Sequence, residues 1–396
     1  MSRYLVLGAG FQGRACAYDL SRSPGVTQVA LADASPQALA SAGAFLRKAA
    51  RGARVRLLRL DAARPAEIER AAREVDAVVS CVPYFLNLPL AEAAVRAGTH
   101  FVDLGGSTDI VRRELALHAR AKRAGVCVRP DNGLGPGMIS TLAVAAMNRL
   151  DRADEVRIYD GGLPQNPVPP LNYMLTFSEH GLINEYAGTA VALVGGRVVR
   201  RPALSDLETV EVPLLGRLEA GHAAGGLSTL AETYAGRVRT MYNKFLRYPG
   251  HIPAMEAMRE MGFFDETPLT LRPGVRFAPR ELAAKLFRRH FERPGERDLV
   301  VIQVVARGVK DGAPAEVVCD MLDRYDPKTA MTAMMRTTAF PASIVAQLAA
   351  GGRLEPGAFP VETGVPPDLF LAEAAKRGFK PKWTLRRPAL KPRAKA

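Results

Sequence analysis

Six short apolar runs punctuate the first third of the chain: Tyr4–Leu7, Val29–Ala32, Val55–Leu58, Ala77–Cys81, Phe101–Val102 and Val126–Val128. Segments with helical spacing separate them: Gln12–Leu20, Pro36–Ala49, Pro65–Arg73, Leu88–Ala97 and Ile110–Arg123. Runs that are apolar at nearly every position suit strands buried on both faces. Their alternation with helices predicts a parallel sheet with right-handed crossovers. After Asp131 the rhythm changes. Loop clusters at Gly161–Pro164 and Pro167–Pro170 accompany longer strand-like stretches, Val156–Tyr159, Thr209–Val212 and Leu299–Val305. This pattern predicts an α+β domain on a mostly antiparallel or mixed sheet from Asn132 to Asp326. The stretch Met331–Ala350 is apolar, rich in small residues and helical, and Gly351-Gly352 stops it.

A chain of 396 residues exceeds what one hydrophobic core usually fills, so two domains are expected. The net charge is +14, and nine Lys or Arg with no acid lie between Lys376 and Lys395, so most of the basicity belongs to the C-terminal stretch. Pro381, Pro388 and Pro392 prevent a recognition helix there. Residues 376–396 therefore read as a solvated terminus, and nucleic acid is not the expected partner. Cys16, Cys81, Cys127 and Cys319 are widely spaced, lack metal-ligand spacing and sit in apolar runs. They read as buried thiols in a reducing compartment, with no metal site. With no apolar run long enough for a membrane span and a strand beginning near Met1, a cytoplasmic location is expected.

The first chemistry-bearing motif is Gly8-Ala9-Gly10-Phe11-Gln12-Gly13, placed between a strand and a helix. That context gives GxGxxG its meaning. Gly8 permits the tight turn. Gly10 lets the backbone approach a diphosphate, which the helix N-terminus favours, and Gly13 lets the helix pack on the sheet. The second strand ends at Asp33, twenty residues after Gly13. A carboxylate there can accept from both adenosine ribose hydroxyls and would repel a 2′-phosphate, so NAD is expected in preference to NADP. Asp61 ends the third strand within reach of an adenine. Val82-Pro83-Tyr84 follows the fourth strand, and Asp103-Leu104-Gly105-Gly106 the fifth. These strand ends form the crevice where open α/β sheets bind ligands.

These residues, with several later motifs, resemble the saccharopine dehydrogenase family. The motifs are VVSCVPY at Val78–Tyr84, VDLGG at Val102–Gly106, NGLGPGM at Asn132–Met138, YDGGLP at Tyr159–Pro164 and PLNYMLTFSEHGLINEY at Pro170–Tyr186. GGLSTL at Gly225–Leu230, LRYPGH at Leu246–His251 and MMRTTAFPASI at Met334–Ile344 extend the likeness over nearly the whole chain. Within the family the chain looks most similar to lysine 6-dehydrogenases, which oxidise the ε-carbon of L-lysine with NAD and release ammonia. The resemblance implies a Rossmann domain over residues 1–131 and a substrate and dimerisation domain over 132–326. It also implies a C-terminal return to the Rossmann domain over 327–375, and a homodimer or larger homo-oligomer. It implies cofactor contacts from Gly8, Gly10, Phe11, Gln12, Gly13, Asp33, Asp61, Ala62, Val82, Pro83 and Tyr84. The fungal reductases carry an Arg in the segment matching Ala224–Thr229, which here reads AGGLST. That loss points away from saccharopine and toward a smaller amino-acid or amine substrate. Those enzymes also have a Cys where this chain has Asp160.

Taking hydride from an amine carbon requires the neutral amine, and a free ε-ammonium titrates near about 10.4, so burial or a base must assist. Asp103 and Asp160 are the candidate proton handlers or amine anchors, each with a plain turn-forming alternative. Arg247 is the candidate partner of a substrate α-carboxylate, through its fork of donors. Tyr84, Tyr173 and Thr229 are further candidate substrate contacts. His222 and His251 titrate in the right range for proton transfer. Three functional readings stay open: oxidative deamination of lysine, reductive condensation of the saccharopine or carboxynorspermidine type, and cofactor binding without turnover.

Overall fold

The computed structural model describes residues 1–49 and 55–387. Its first domain opens β1 (Ser2–Leu7), α1 (Phe11–Arg22), β2 (Val26–Asp33), α2 (Pro36–Ala49), β3 (Val55–Arg59), α3 (Pro65–Ala72), β4 (Ala77–Ser80) and α4 (Asn87–Ala97). It continues through β5 (His100–Asp103), α5 (Thr108–Leu115), α6 (His118–Arg123) and β6 (Cys127–Arg129). The helical pattern predicted over Ile110–Arg123 thus breaks into two helices at Ala116–Leu117.

The second domain begins with α7 (Met138–Met147), β7 (Arg152–Pro164) and α8 (Glu179–Ala187). Strands β8 (Thr189–Val194), β9 (Arg197–Pro202), β10 (Glu208–Val212) and β11 (Gly216–His222) follow, then α9 (Leu230–Tyr234), β12 (Thr240–Arg247) and α10 (His251–Glu260). A short hairpin of β13 (Leu269–Arg272) and β14 (Val275–Phe277) precedes α11 (Pro279–Phe291), β15 (Asp298–Lys310) and β16 (Ala313–Arg324). The chain closes with α12 (Ala333–Ala350), β17 (Gly357–Ala358), α13 (Val361–Gly364), α14 (Pro367–Lys376) and β18 (Lys382–Arg386).

The first sheet is seven-stranded and parallel, in the order β17-β6-β5-β4-β1-β2-β3. The order turns between β1 and β4, so the loops after those strands open the crevice of a doubly wound sheet. Its strands β1 and β4 are almost wholly buried, as continuous apolar runs require. β17, from the last part of the chain, completes the sheet beside β6. Helix α12 covers β4 and β5 and packs along α1. The buried Asp19 of α1 accepts from Arg377 Nε at 2.8 and 2.9 Å and from the Ser343 hydroxyl of α12. The C-terminal return is therefore pinned by charge as well as by packing.

The second sheet runs β10-β11-β12-β7-β15-β16-β18, with β8 and β9 branching from β12. Only its β12–β7 pairing is parallel. Alternation along β7 sends Ile158 toward the large core shared with the first domain and Tyr159 to the opposite face. Asp160, by the same period of two, belongs to the Ile158 side. The stretch expected as a solvated terminus is partly folded: Lys382–Arg386 forms the edge strand β18 on β16, and Arg377 is buried against Asp19. The rest of that stretch, 388–396, lies outside the described residues. Among the described residues, no helix is long and apolar enough to cross a membrane.

Candidate functional site

The turn after β1 requires glycine at two positions. Gly8 has φ +94°, and a Cβ there would lie 2.7 Å from the Cys81 carbonyl oxygen. A Cβ on Gly13 would fall 1.6 Å from the Gly8 oxygen, so α1 is seated directly on the turn. Gly10 has open space around its would-be Cβ. It caps α1 without a side-chain hydrogen bond, and no acid occupies the first helical turn. The first amides of α1 are thus available to an anion at the positive end of the helix. Gln12 Oε1 is buried there with no donor among the described residues. An open cradle and unused helix amides fit a dinucleotide diphosphate, while the Gln12 acceptor calls for a donor such as a ribose hydroxyl.

Asp33 does not stand free at the end of β2. Its Oδ2 accepts from the Ala9 amide at 2.7 Å and its Oδ1 from the Ser35 amide at 2.8 Å. The carboxylate ties the glycine turn to the next loop. Asp61 Oδ1 likewise accepts from the Ala63 amide at 2.9 Å, and its carboxylate faces Arg64.

A cavity of about 1420 Å³ opens from this turn into the junction of the two domains. On the first-domain side it is lined by Gly10, Phe11, Gln12, Val82, Pro83 and Tyr84, then by Leu104–Gly106 and Asp131. Across from them stand Asp160 of β7, Glu179 and Glu185 of α8, Asn243 and Phe245 of β12, and Ser228 and Thr176. Arg280 and Arg288 of α11, with Arg293 just beyond it, complete the wall. Of the residues expected from sequence, Gly10, Phe11, Gln12, Val82, Pro83, Tyr84 and Asp160 meet on one cavity. Gly8 and Gly13 lie beneath it as the turn's framework, and Asp33, Asp61 and Ala62 sit at strand ends outside its lining.

Asp160 Oδ1 accepts from the Asn243 amide nitrogen at 2.7 Å. Burial pushes its carboxyl up to about 6. Gly135 brings its backbone close to this group, since a Cβ there would lie 3.3 Å from Asp160 Oδ2. Glu185, 32% of whose side chain is open, is pushed by burial up to about 7 against the lowering pull of Arg247, with Asp160 raising it further. Thr176 is 6% exposed and its hydroxyl has no hydrogen-bond partner among the described residues. The sheet-domain wall therefore offers two acidic groups and a free hydroxyl, a set that suits a primary amine.

Four expected site residues lie behind the wall rather than on it. Arg247 is 2% exposed. Its Nη2 donates to Glu185 Oε2 at 3.1 Å, its Nε to the Tyr186 hydroxyl at 3.0 Å and its Nη1 to the Leu246 carbonyl at 2.9 Å. Buried, and with Nε, Nη1 and Nη2 each bonded in this way, it holds Glu185 rather than facing a substrate carboxylate. Tyr173 is buried beneath the same guanidinium, 4.9 Å from ring centroid to its carbon. Thr229 is buried at the start of α9, next to the cavity-lining Ser228. Asp103 is fully buried and accepts from the Gly105 and Asp131 amides at 2.6 and 3.1 Å. His251 donates from Nδ1 to the Leu171 carbonyl at 2.8 Å, so its Nε2 accepts from the Tyr186 hydroxyl at 2.9 Å. Burial and Arg247 push it down to about 3, so it stays neutral and is no proton carrier near pH 7. His222, beside Asp206, is also lowered by burial.

Sequence reasoning missed Asp131, Glu185 and Ser228. Asp131 carried a usable signal, because it follows an apolar run at a strand end as Asp103 does. Glu185 carried none: it lies in the amphipathic segment Glu179–Ala187, where an acid is unremarkable until the fold turns it inward.

Models of known families match the chain almost end to end. The saccharopine dehydrogenase NADP binding domain matches residues 4–128, and the saccharopine dehydrogenase C-terminal domain matches residues 133–379. The saccharopine dehydrogenase (NADP(+), L-glutamate-forming) of Schizosaccharomyces pombe is 25% identical over 253 residues, 61% of this chain and 55% of that protein. The Saccharomyces cerevisiae protein of the same name is 24% identical over 219 residues, 52% of this chain and 48% of that one. The chain thus spans about half the length of these curated relatives. The solved apo saccharopine dehydrogenase (L-Glu forming) from Saccharomyces cerevisiae superimposes with a TM-score of 0.79 at 18% identity, covering 98% of this chain and 100% of that one. A homospermidine synthase from Legionella pneumophila, solved with NAD, gives 0.65 at 11% identity, covering 100% of this chain and 95% of that one. At these identities the likeness is one of fold.

The expected preference for NAD is corrected by these matches, which point to NADP through both the domain model and the two yeast proteins. The expectation treated Asp33 as a free carboxylate set against a 2′-phosphate. In the structure both of its oxygens are already bonded to backbone amides, which weakens its power to discriminate.

Proposed function

Because the chain belongs to the saccharopine dehydrogenase family, we propose that it is an NADP-linked oxidoreductase that joins an amino acid or amine to a carbonyl compound by reductive condensation. The observation that carries this reading is the single cavity in which the glycine turn and the β4 and β5 strand ends face Asp160 and Glu185 of the second domain. A room of this size holds a nicotinamide and two organic reactants together. The names of the relatives support condensation chemistry over release of ammonia from lysine alone, which the sequence motifs had suggested.

The bound dinucleotide supplies or accepts the hydride. The chain's own residues do the rest. The open amides at the start of α1 and Gly10 hold the diphosphate, and Pro83 and Tyr84 wall the nicotinamide side. Asp160 and Glu185 bind the amine substrate as an ammonium ion. With their carboxyls near 6 and 7, either can also accept the proton that must leave before nitrogen attacks carbon. Arg247 keeps Glu185 in place, and Asn243 does the same for Asp160. Arg280 and Arg288 of α11 are paired with Glu266, Asn184 and Glu179, so Arg293, just beyond the helix on the same wall, is the guanidinium suited to a carboxylate on either reactant.

The test is a matrix of amines and amino acids against aldehydes and oxo acids, with NADPH. Loss of absorbance and a product mass equal to the two reactants less one oxygen atom support condensation. Reduction of NADP(+) by L-lysine alone, with no turnover for any pair, would replace this reading with deamination.

A further inference from the structure

Where β6 ends, the chain turns through Asp131, whose φ of +63° is left-handed. Facing it across the domain junction is Ser228, at φ +46°, and its hydroxyl donates to Asp131 Oδ2. Two non-glycine residues in this region, bonded to each other at a cavity, are strained and must be held by what surrounds them. The hold is visible. The Asp131 amide donates to Asp103 Oδ1 at 3.1 Å, which also accepts from the Gly105 amide at 2.6 Å. Gly105 leaves the space that the carboxylate occupies, since a Cβ there would lie 2.0 Å from Asp131 Oδ1.

Behind this turn Asp103 and Glu114 are wholly buried. Asp103 Oδ2 and both Glu114 oxygens have no donor among the described residues. Two carboxyl groups buried side by side share a proton. Burial, with Asp103 next, drives Glu114 far above its usual range. Asp103 is therefore the member that carries charge, toward Asp131. Burial, then the charge of Asp103, pushes Asp131 up to about 8, with Ser228 opposing and Glu362 of α13 adding to the rise. The Arg129 guanidinium donates instead to the carbonyls of Glu355, Gly357 and Gly364.

We propose that Asp131 is the general acid of the condensation, an assignment that rests on the reductive reading above. It stands on the same wall as Tyr84 and Leu104–Gly106, across the cavity from the carboxylates that would hold the amine. When amine has added to carbonyl, the adduct carries a hydroxyl and a nitrogen on one carbon. The carbon–oxygen bond breaks with its electron pair on oxygen, and the Asp131 proton goes to that oxygen, which leaves as water. The nitrogen lone pair forms the C=N⁺ bond. That iminium is reduced to the secondary amine by hydride from the NADPH that the reaction consumes, and Asp131 regains its proton from solvent.

Asp131→Asn is the variant to make, because Asn tolerates a left-handed backbone and keeps an oxygen for Ser228. Turnover in the condensing direction at pH 7 is expected to fall at least about 100-fold, while NADPH affinity and the KM for the amine stay within about threefold. The wild type should lose activity as pH rises through about 8, and Asp131→Asn should lose that limb of the profile. Infrared difference spectra between pH 6.5 and 9.5 provide a readout apart from activity. The Glu185 carboxyl, at about 7, loses a protonated-carboxyl band in both proteins, and the further band that Asp131 loses in the wild type should be missing in Asp131→Asn. An active variant that keeps the alkaline limb, or an infrared change identical in both proteins, overturns the assignment alone. A wild type that converts no amine–carbonyl pair overturns the reading beneath it, and the general-acid role with it.

Discussion

Replacing Arg247 by Met separates two roles for one residue. If its guanidinium binds a substrate carboxylate, the change raises one KM and leaves the fold alone. The structure instead makes it the counter-charge of Glu185 and a donor to Tyr186, packed against the rings of Tyr173 and Phe245. Arg247 is buried but Glu185 is 32% open, so losing their charge-assisted bond costs about 1.5–3 kcal/mol, below the figure for a fully buried pair. At about 2.1 cal/mol/K per residue, a chain of this length has an unfolding entropy of about 0.8 kcal/mol/K, so the melting temperature should drop by about 2–4 °C. Glu185 also loses the one neighbour that lowers it, takes up a proton near neutrality, and stops attracting an ammonium ion. A lost charge-assisted hydrogen bond of about 1.5–3 kcal/mol raises the KM for the amine about 10- to 150-fold. Differential scanning calorimetry and initial-rate kinetics with each reactant varied in turn check both effects. Adding Glu185→Gln should restore part of the melting temperature without restoring the KM. An unchanged melting temperature in Arg247→Met, with only the KM of the carboxylate-bearing carbonyl substrate raised, would refute this account.

The glycine turn gives a paired prediction. Gly13→Ala drives a methyl group onto the Gly8 carbonyl and should cost about 1–3 kcal/mol together with most NADPH binding. Gly10→Ala meets nothing within 4 Å, so it should keep its melting temperature while weakening NADPH in titration calorimetry. Arg377→Leu strands the buried Asp19 and should destabilise by about 3–5 kcal/mol, relieved in part by Asp19→Asn in the same chain; no loss would mean that the C-terminal return is held by packing alone. Asp160, Glu185 and Asp131 all hold protons more tightly when folded, at about 6, 7 and 8, than the unfolded chain does near about 4. The unfolded state then binds fewer protons in between, so stability should fall as pH rises from about 4 to about 8. Thermal melts should show the fall, with a shallower slope in Asp131→Asn.

Much of the first domain is legible in the amino-acid sequence alone. Continuous apolar runs, helical spacing between them and a glycine turn in register each depend on neighbours in the chain, and the parallel sheet of β1 to β6 and the seat of α1 follow from them. Gly10, Phe11, Gln12 and Pro83 could be placed in the crevice for the same reason, because strand ends lie together in such a sheet. What a side chain does once there depends on groups far away in sequence. Asp33 looked free, and only the turn of the chain supplied Ala9 and Ser35 as donors to its oxygens. Arg247 looked like a carboxylate ligand until α8 brought Glu185 and Tyr186 to its guanidinium from about sixty residues away. Asp103 and Asp131 end two strands alike, yet one is sealed against Glu114 while the other reaches the cavity beside Ser228. Charge, protonation and access are set by burial and by long-range partners, and these exist only once the two domains have closed on each other.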